Sequence, residues 1–330
     1  MIIAEIAQAH DGSLGILHSY IDVLADTGID AVKFQTHIAD AESSNHEPFR
    51  IKFSYEDKTR FDYWRRMEFT LEQWKEIKQH CEEKKFEFIS SPFSNAAVDL
   101  LEAAGIKRYK VGSGEINNHL LLKKIALTGK PVILSSGLSD IKELDMAIGF
   151  FKEHASDVSV LQCVSAYPSK PEEWGLNMIN EFKQRYQIKT GYSDHSGNIY
   201  ACLAAASLGA EIFEFHVVFH KAMFGPDTKA SIVIDDVKRL TEGIKQIQSA
   251  LSNPSKKEHT DNILSLKNVF EKSLAVNRFL LAGTVISFEH LEAKKPKGQG
   301  IDASVYQTII GKKLIVDKQP WDFLRSEDFQ

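Results

Sequence analysis

IKTGYSDHSGNIYACLAAASLGAEIFEFHVV, residues 188–218, spells out a strand, a helix and a second strand. Strands are expected at 189–193 and 211–217, with a helix over 199–208 between them. Two strands joined by one helix lie parallel and need other elements on both faces. Outward from this stretch the same unit recurs. Apolar or β-branched runs at 2–7, 31–35, 86–90, 108–111, 131–135 and 158–163 bring the strands to eight. Helical periodicity follows at 14–27, 71–84, 95–104, 119–127, 141–154, 177–186 and 235–251. Eight strand–helix units favour a (β/α)8 TIM barrel over an open doubly wound sheet.

The barrel takes residues 1–252 of 330. A polar, Pro-containing stretch at 253–265 reads as a linker. Residues 266–330 read as a small β-rich module with little core of its own. The longest gap between strands, 36–85, contains EPFRIKFSYEDKTRFDYWRRMEF (47–69), and excursions of that length after a barrel strand usually shape the mouth of the site. A net charge of -5 gives no basic bias toward nucleic acid or anionic membrane. The apolar start is broken by Glu5 and meets His10 and Asp11 without a basic leader. Cys81, Cys163 and Cys202 form no CxxC pair. A cytoplasmic enzyme with reduced thiols is the expectation.

Barrels of this type present chemistry at the C-terminal ends of their strands. Those ends carry Glu5, Lys33, Gln35, Ser90, Ser91, Lys110, Ser113, Ser135, Ser136, Ser165, Tyr167, Ser193, His195, Glu214 and His216. One serine there is more often a turn hydroxyl; polar groups at every end are hard to explain by packing. His195 and His216 close consecutive strands, where two imidazoles would share one cation, with Asp194 and Glu214 as orienting partners or an extra ligand. Nitrogen and oxygen ligands do not select the metal. Mn, Fe, Co and Zn fit such a set, and Mg less well. In RYKVGSGEINN, Lys110 and Ser113 beside Gly112 and Gly114 suit a phosphate and a carboxylate, and Lys33 adds a second charge. Either lysine would also serve a Schiff-base aldolase.

Nine segments, in order, resemble the N-acetylneuraminate (sialic acid) synthase family with its legionaminic and pseudaminic acid synthases. They are IIAEIAQAHDGS, AVKFQTH, SSPFS, YKVGSGEINN, ILSSGL, QCVSAYP, GYSDHSG, FEFHVVF and FGPDTKAS. NRFLLAGTVISFEHL and KKPKGQGI resemble the family's antifreeze-like (SAF) module. The resemblance implies condensation of phosphoenolpyruvate (PEP) with an N-acyl hexosamine, by a homodimer in which that module is exchanged. It implies His195 and His216 as metal ligands, with Mn2+ the expected ion and Mg2+ or Co2+ the alternatives, and Glu5 as general base. Lys33, Ser91, Lys110, Ser113, Ser135 and Ser193 match the PEP site, with Lys33 and Lys110 also catalytic. Gln35, Glu115, Tyr167 and Asp227 match sugar-binding positions. Three places depart from the family pattern: Tyr55 and Ser165 where asparagines are found, and Lys295 where an arginine reaches the substrate. Lysine lacks the planar fork of arginine, which bears on the acylamino contact. A non-catalytic carbohydrate-binding protein is the rival from another class.

Overall fold

Strand alternation builds the centre of the molecule. In the computed structural model eight parallel strands pair in chain order and the first closes on the eighth, leaving no free edge. They are β1 (Ile2–Glu5), β2 (Ala31–Thr36), β3 (Glu87–Pro92), β4 (Tyr109–Val111), β5 (Val132–Ser135), β6 (Val158–Cys163), β7 (Thr190–Asp194) and β8 (Ile212–Val218). The expected barrel is the observed one, with helices between the strands. The structure describes residues 1–154, 156–258 and 260–330; position 259, within the expected linker, lies outside the described residues.

Inside the barrel, Ile3, Ala31, Ile89, Ile133, Leu161 and Ile212 form a closed apolar layer. Two residues further along the same strands come Glu5, Lys33, Ser91, Ser135, Cys163 and Glu214, all buried. A period of two puts both sets on the inner face. The intervening Ala4, Val32, Leu134, Phe213 and Phe215 face outward into the core shared with the helices. In the lower layer Gly191 has no room for a side chain: a Cβ would lie 2.1 Å from the Ile212 carbonyl oxygen and 2.7 Å from Leu161. The helices carry ordinary stop and start signals. Asn95–Ala104, for example, starts where Ser94 accepts from the Ala97 N–H and ends at Gly105 with φ +81°.

The excursion after β2 has a core of its own. Ala39, Tyr63, Trp64 and Met67 pack with Phe49, Phe53 and Phe61, and the helix Arg60–Met67 begins in a Thr59–Asp62 capping box. A short β9 (Ile232–Val233) follows β8 and leads into the helix Ile234–Ser252.

The chain divides into two compact units, Met1–Pro254 and Ser255–Gln330. In the second, β10 (Ser273–Val276) pairs antiparallel with β11 (Leu291–Lys294) over a core of Leu274, Val276, Leu280, Ile286, Ile309, Leu314 and Leu324. The expected linker needs correction, because a helix, Asp261–Phe270, begins inside it. Thr260 accepts from the Ile263 N–H and caps it, a signal that the polar composition hid. The apolar piece at 314–317 makes only an isolated bridge at Leu314, since Ile315 and Val316 turn to solvent. No described helix is long and apolar enough to cross a membrane.

Candidate active site

The charged layer forms the floor of a cavity of about 550 Å3 at the C-terminal ends of the strands. Lys33 Nζ lies 2.7 Å from Glu5 Oε1 and 3.2 Å from Glu214 Oε1. Lys110 Nζ donates to that same Glu214 oxygen at 2.7 Å, and Ser193 Oγ donates to it at 3.2 Å. The pairings follow from register, which sets Glu5 beside Lys33 and Ser193 beside Glu214. Glu214 Oε2, Ser91 Oγ and Ser135 Oγ are buried with no hydrogen-bond partner. Orphaned polar atoms beside two buried ammonium groups mark a place for a polar ligand.

Burial would raise the Glu5 carboxyl, but His216, Lys33 and Lys110 outweigh it and hold Glu5 well below the usual range. Glu214 follows the same logic, with burial overcome by Lys110 and Lys33. The lysines split. Burial lowers both, yet Glu214 and Glu5 together carry Lys33 above its ordinary value. Lys110 ends below it, because burial outweighs the pull of Glu214 and Lys33 repels it.

On one wall the Gly137 N–H donates to Ser113 Oγ at 3.1 Å. A Cβ at Gly137 would sit 2.6 Å from Ser165 Oγ, 2.9 Å from Ser113 Oγ and 3.0 Å from Cys163 Sγ. Glycine thus keeps a ring of small polar groups close around one point.

His195 and His216 face each other with ring centroids 5.3 Å apart. His195 Nδ1 donates to the Val164 carbonyl at 2.7 Å, which leaves the lone pair of its Nε2 free. His216 Nε2 is 3.3 Å from Glu5 Oε2. Among the described residues no set of three or more His, Cys, Asp or Glu is gathered for a metal. Two imidazoles beside a carboxylate are nevertheless donors of a kind that would suit a divalent ion.

Above the floor, Gln35 Nε2 donates to Glu5 Oε1 at 2.8 Å, and Gln8 reaches Gln35 Oε1. His37 lies between Trp64 and Phe93, with Nδ1 2.7 Å from Glu42 Oε1 and Nε2 3.3 Å from Gln35 Oε1. Arg50 donates to Asp227 Oδ1 at 2.6 Å and covers Tyr167, its guanidinium 4.3 Å from the ring centroid; Tyr167 stacks on His195. Arg60 stacks on Trp64 at 4.3 Å.

Fifteen of the polar residues singled out from the sequence line this cavity: Glu5, Lys33, Gln35, Ser91, Lys110, Ser113, Glu115, Ser135, Ser165, Tyr167, Ser193, His195, Glu214, His216 and Asp227. Two do not. Tyr55 is 93% exposed and packs near Phe224, because the satellite core turns its part of the excursion outward. Lys295 belongs to the second unit, where its ammonium lies 4.9 Å from the Phe270 ring centroid. Strand alternation also sorts the neighbours at the strand ends. Ser90 turns out to pair with Thr36, Ser136 bonds Gln162, and Asp194 accepts from Ser196, so none of them lines the cavity. Gln8, His37, Glu42, Glu47, Arg50, Arg60 and Trp64 line it without having been singled out. His37 and Gln8 stand inside recognised segments, so their polarity was the available signal; the others come from the excursion after β2, whose helices Ala39–Glu42 and Arg60–Met67 are too short to show a clear period.

Residues 20–256 match the NeuB family. The chain is 33% identical to N,N'-diacetyllegionaminic acid synthase of Campylobacter jejuni, covering 94% of this chain and 95% of that one. It is 29% identical to human N-acetylneuraminate-9-phosphate synthase, covering 99% of this chain and 91% of that one. A crystal structure of N-acetylneuraminic acid (sialic acid) synthetase from Leptospira borgpetersenii serovar Hardjo-bovis in complex with citrate superposes with a TM-score of 0.71. The two share 30% identity over 80% of this chain and 89% of that one. A family match over most of the barrel, with relatives aligned from end to end, places this chain in the NeuB family of sialic-acid-type synthases.

Proposed function

We propose that this chain is a nonulosonic acid synthase that condenses PEP with an N-acyl hexosamine and releases phosphate. The observation that carries the reading is the floor. Two buried lysines, with the orphaned hydroxyls of Ser91 and Ser135 beside them, suit the phosphate and carboxylate of one small anion. Ser113, Ser165 and Ser193 add hydroxyls around it, and Gln35, Glu115, Tyr167 and Asp227 line the space above for the sugar. Across the cavity six carboxylates face four lysines and arginines, so a strongly anionic substrate calls for a cation to accompany it. A divalent ion held by His195 and His216, Mn2+ first with Mg2+ or Co2+ behind, would supply that charge and polarise the acceptor's aldehyde.

In this reading the serines and the two lysines hold PEP with C3 facing the open-chain aldehyde carbon. The C3–C1 bond forms, C2 becomes electron-deficient, and the aldehyde oxygen takes a proton from solvent. That proton is balanced when Glu5 later returns its own to solvent, and the second proton of the attacking water leaves with the phosphate. Water then adds to C2 and gives its proton to Glu5, after which the C2–O bond breaks and phosphate leaves with its oxygen. Lys33 now neutralises Glu5 at 2.7 Å. A bound anion that draws Lys33 away returns Glu5 toward an ordinary carboxylate able to accept that proton.

The lowered pKa of Lys110 is the one observation that favours a Schiff-base aldolase on pyruvate instead. A turnover assay with PEP, a divalent cation and a panel of N-acyl hexosamines separates the two. Acceptor-dependent, chelator-sensitive phosphate release supports the synthase; trapping of a pyruvate adduct on Lys33 or Lys110 by borohydride, without phosphate release from PEP, overturns it. We further propose that the enzyme works in the cytoplasm as a homodimer in which the second unit serves the neighbouring chain, as the resemblance implies. Mixed dimers of a Glu5→Gln chain and a chain lacking 255–330 would then regain activity, and their failure to do so counts against the exchange.

A further inference from the structure

Family membership leaves the charge of the acceptor open, since one relative is named for a free acid and another for a 9-phosphate. The upper wall of the cavity narrows the choice. It carries Glu42, Glu47, Glu115 and Asp227 against Arg50 and Arg60. Both guanidiniums are already matched. Arg50 donates to Asp227 Oδ1 at 2.6 Å, and Arg60 Nε lies 3.4 Å from Glu47 Oε1. Glu47 also accepts from Trp64 Nε1 at 3.0 Å, and Glu42 faces His37 Nδ1 at 2.7 Å. Glu115 takes the Asn118 amide at 2.8 Å and has no lysine or arginine partner among the described residues. Burial pushes the Glu115 carboxyl up, and the nearby Glu42 adds to it. Arg60 Nε is buried, makes no hydrogen bond, and has Glu47 as its counter-charge.

A phosphate ester entering here would meet surplus carboxylates and find every guanidinium charge-paired. We infer that the acceptor is an uncharged N-acyl hexosamine and that this wall excludes its phosphorylated form, a step that rests on the PEP-condensing reading above. Exclusion by like charge is a repulsive element, and it costs the wrong substrate more than it gains the right one.

The test compares kcat/KM of the full-length enzyme, with PEP and Mn2+, for N-acetylmannosamine or a diacetamido-dideoxyhexose and for N-acetylmannosamine 6-phosphate. The free sugars should be preferred by roughly 100-fold or more. Glu115→Gln should narrow that gap by about tenfold, and higher salt should narrow it in the wild type. Equal or better turnover of the phosphate ester overturns the inference while leaving the synthase reading standing. Consumption of PEP with none of these acceptors would count against the synthase reading itself, and the inference would fall with it.

Discussion

The floor and the upper wall of one cavity are built on opposite plans. The floor comes from four regular strands, with Glu5, Lys33, Lys110 and Glu214 locked together by alternation and register. The wall comes largely from the excursion after β2, where Glu42, Glu47, Arg50 and Arg60 are placed by a satellite core of aromatic residues. A barrel strand can hardly change without disturbing its neighbours, whereas a loop with its own small core can be re-cut alone. On this account the floor carries the chemistry and the wall carries the choice of sugar.

The sharpest way to break that division is at the floor. Lys110→Met should abolish measurable turnover and destabilise the barrel by about 3 kcal/mol, because it strips Glu214 of one of its two buried cations. Chemical denaturation of the full chain checks the second part. Acid sharpens it further. Glu5 and Glu214 sit below their ordinary values in the folded state, so their contribution is complete above the unfolded range near ~4.3 and fades as pH falls through the lowered native values. Losing Lys110 makes Glu214 easier to protonate, and the acid unfolding midpoint should move to higher pH, as followed by circular dichroism.

A smaller effect belongs to the base. Glu5→Gln should keep PEP binding and lose roughly 10²–10⁴-fold in kcat. Normal turnover across pH would assign water activation to another group. His195→Ala and His216→Ala should each lower bound metal by elemental analysis without unfolding the barrel, since both rings stand at the rim of the apolar layer rather than in it. At the wall, Arg50→Ala should raise the acceptor's KM about tenfold, equivalent to about 1.4 kcal/mol, with the KM for PEP unchanged. It removes the cover of Tyr167 and the partner of Asp227 together. Least of all, Tyr55→Ala should change neither kinetics nor stability beyond about 0.5 kcal/mol, because its ring is in solvent.

The same contrast explains what could be read before the structure. Lys33, Ser91, Ser135 and Glu214 each stand two residues after an apolar inward neighbour, so strand period alone suffices to put them on the inner face. The period also separates Ser91 from Ser90 and Ser193 from Asp194, a sorting that needs the strand register rather than a motif. Arg50 and Arg60 had no such guide. They reach the cavity because Tyr63, Trp64 and Phe53 pack the excursion into a small core, and neither the stretch around Arg50 nor the eight-residue helix begun by Arg60 states in sequence where that core will lie. Tyr55 shows the converse, an aligned position in that same stretch that the fold turns outward. The helix at Asp261–Phe270 was hidden by its polar approach, although Thr260 is a recognisable cap.

The account's central claim is best tested by calorimetric titration of PEP into the full-length wild type, Arg50→Ala and Lys110→Met, each with Mn2+ and no acceptor. If the floor holds PEP and the wall holds only the sugar, Arg50→Ala binds PEP like the wild type and Lys110→Met binds it roughly 100-fold more weakly or not at all. Equal weakening in both variants, or undiminished binding to Lys110→Met, would contradict the division of the cavity into a floor for chemistry and a wall for choice.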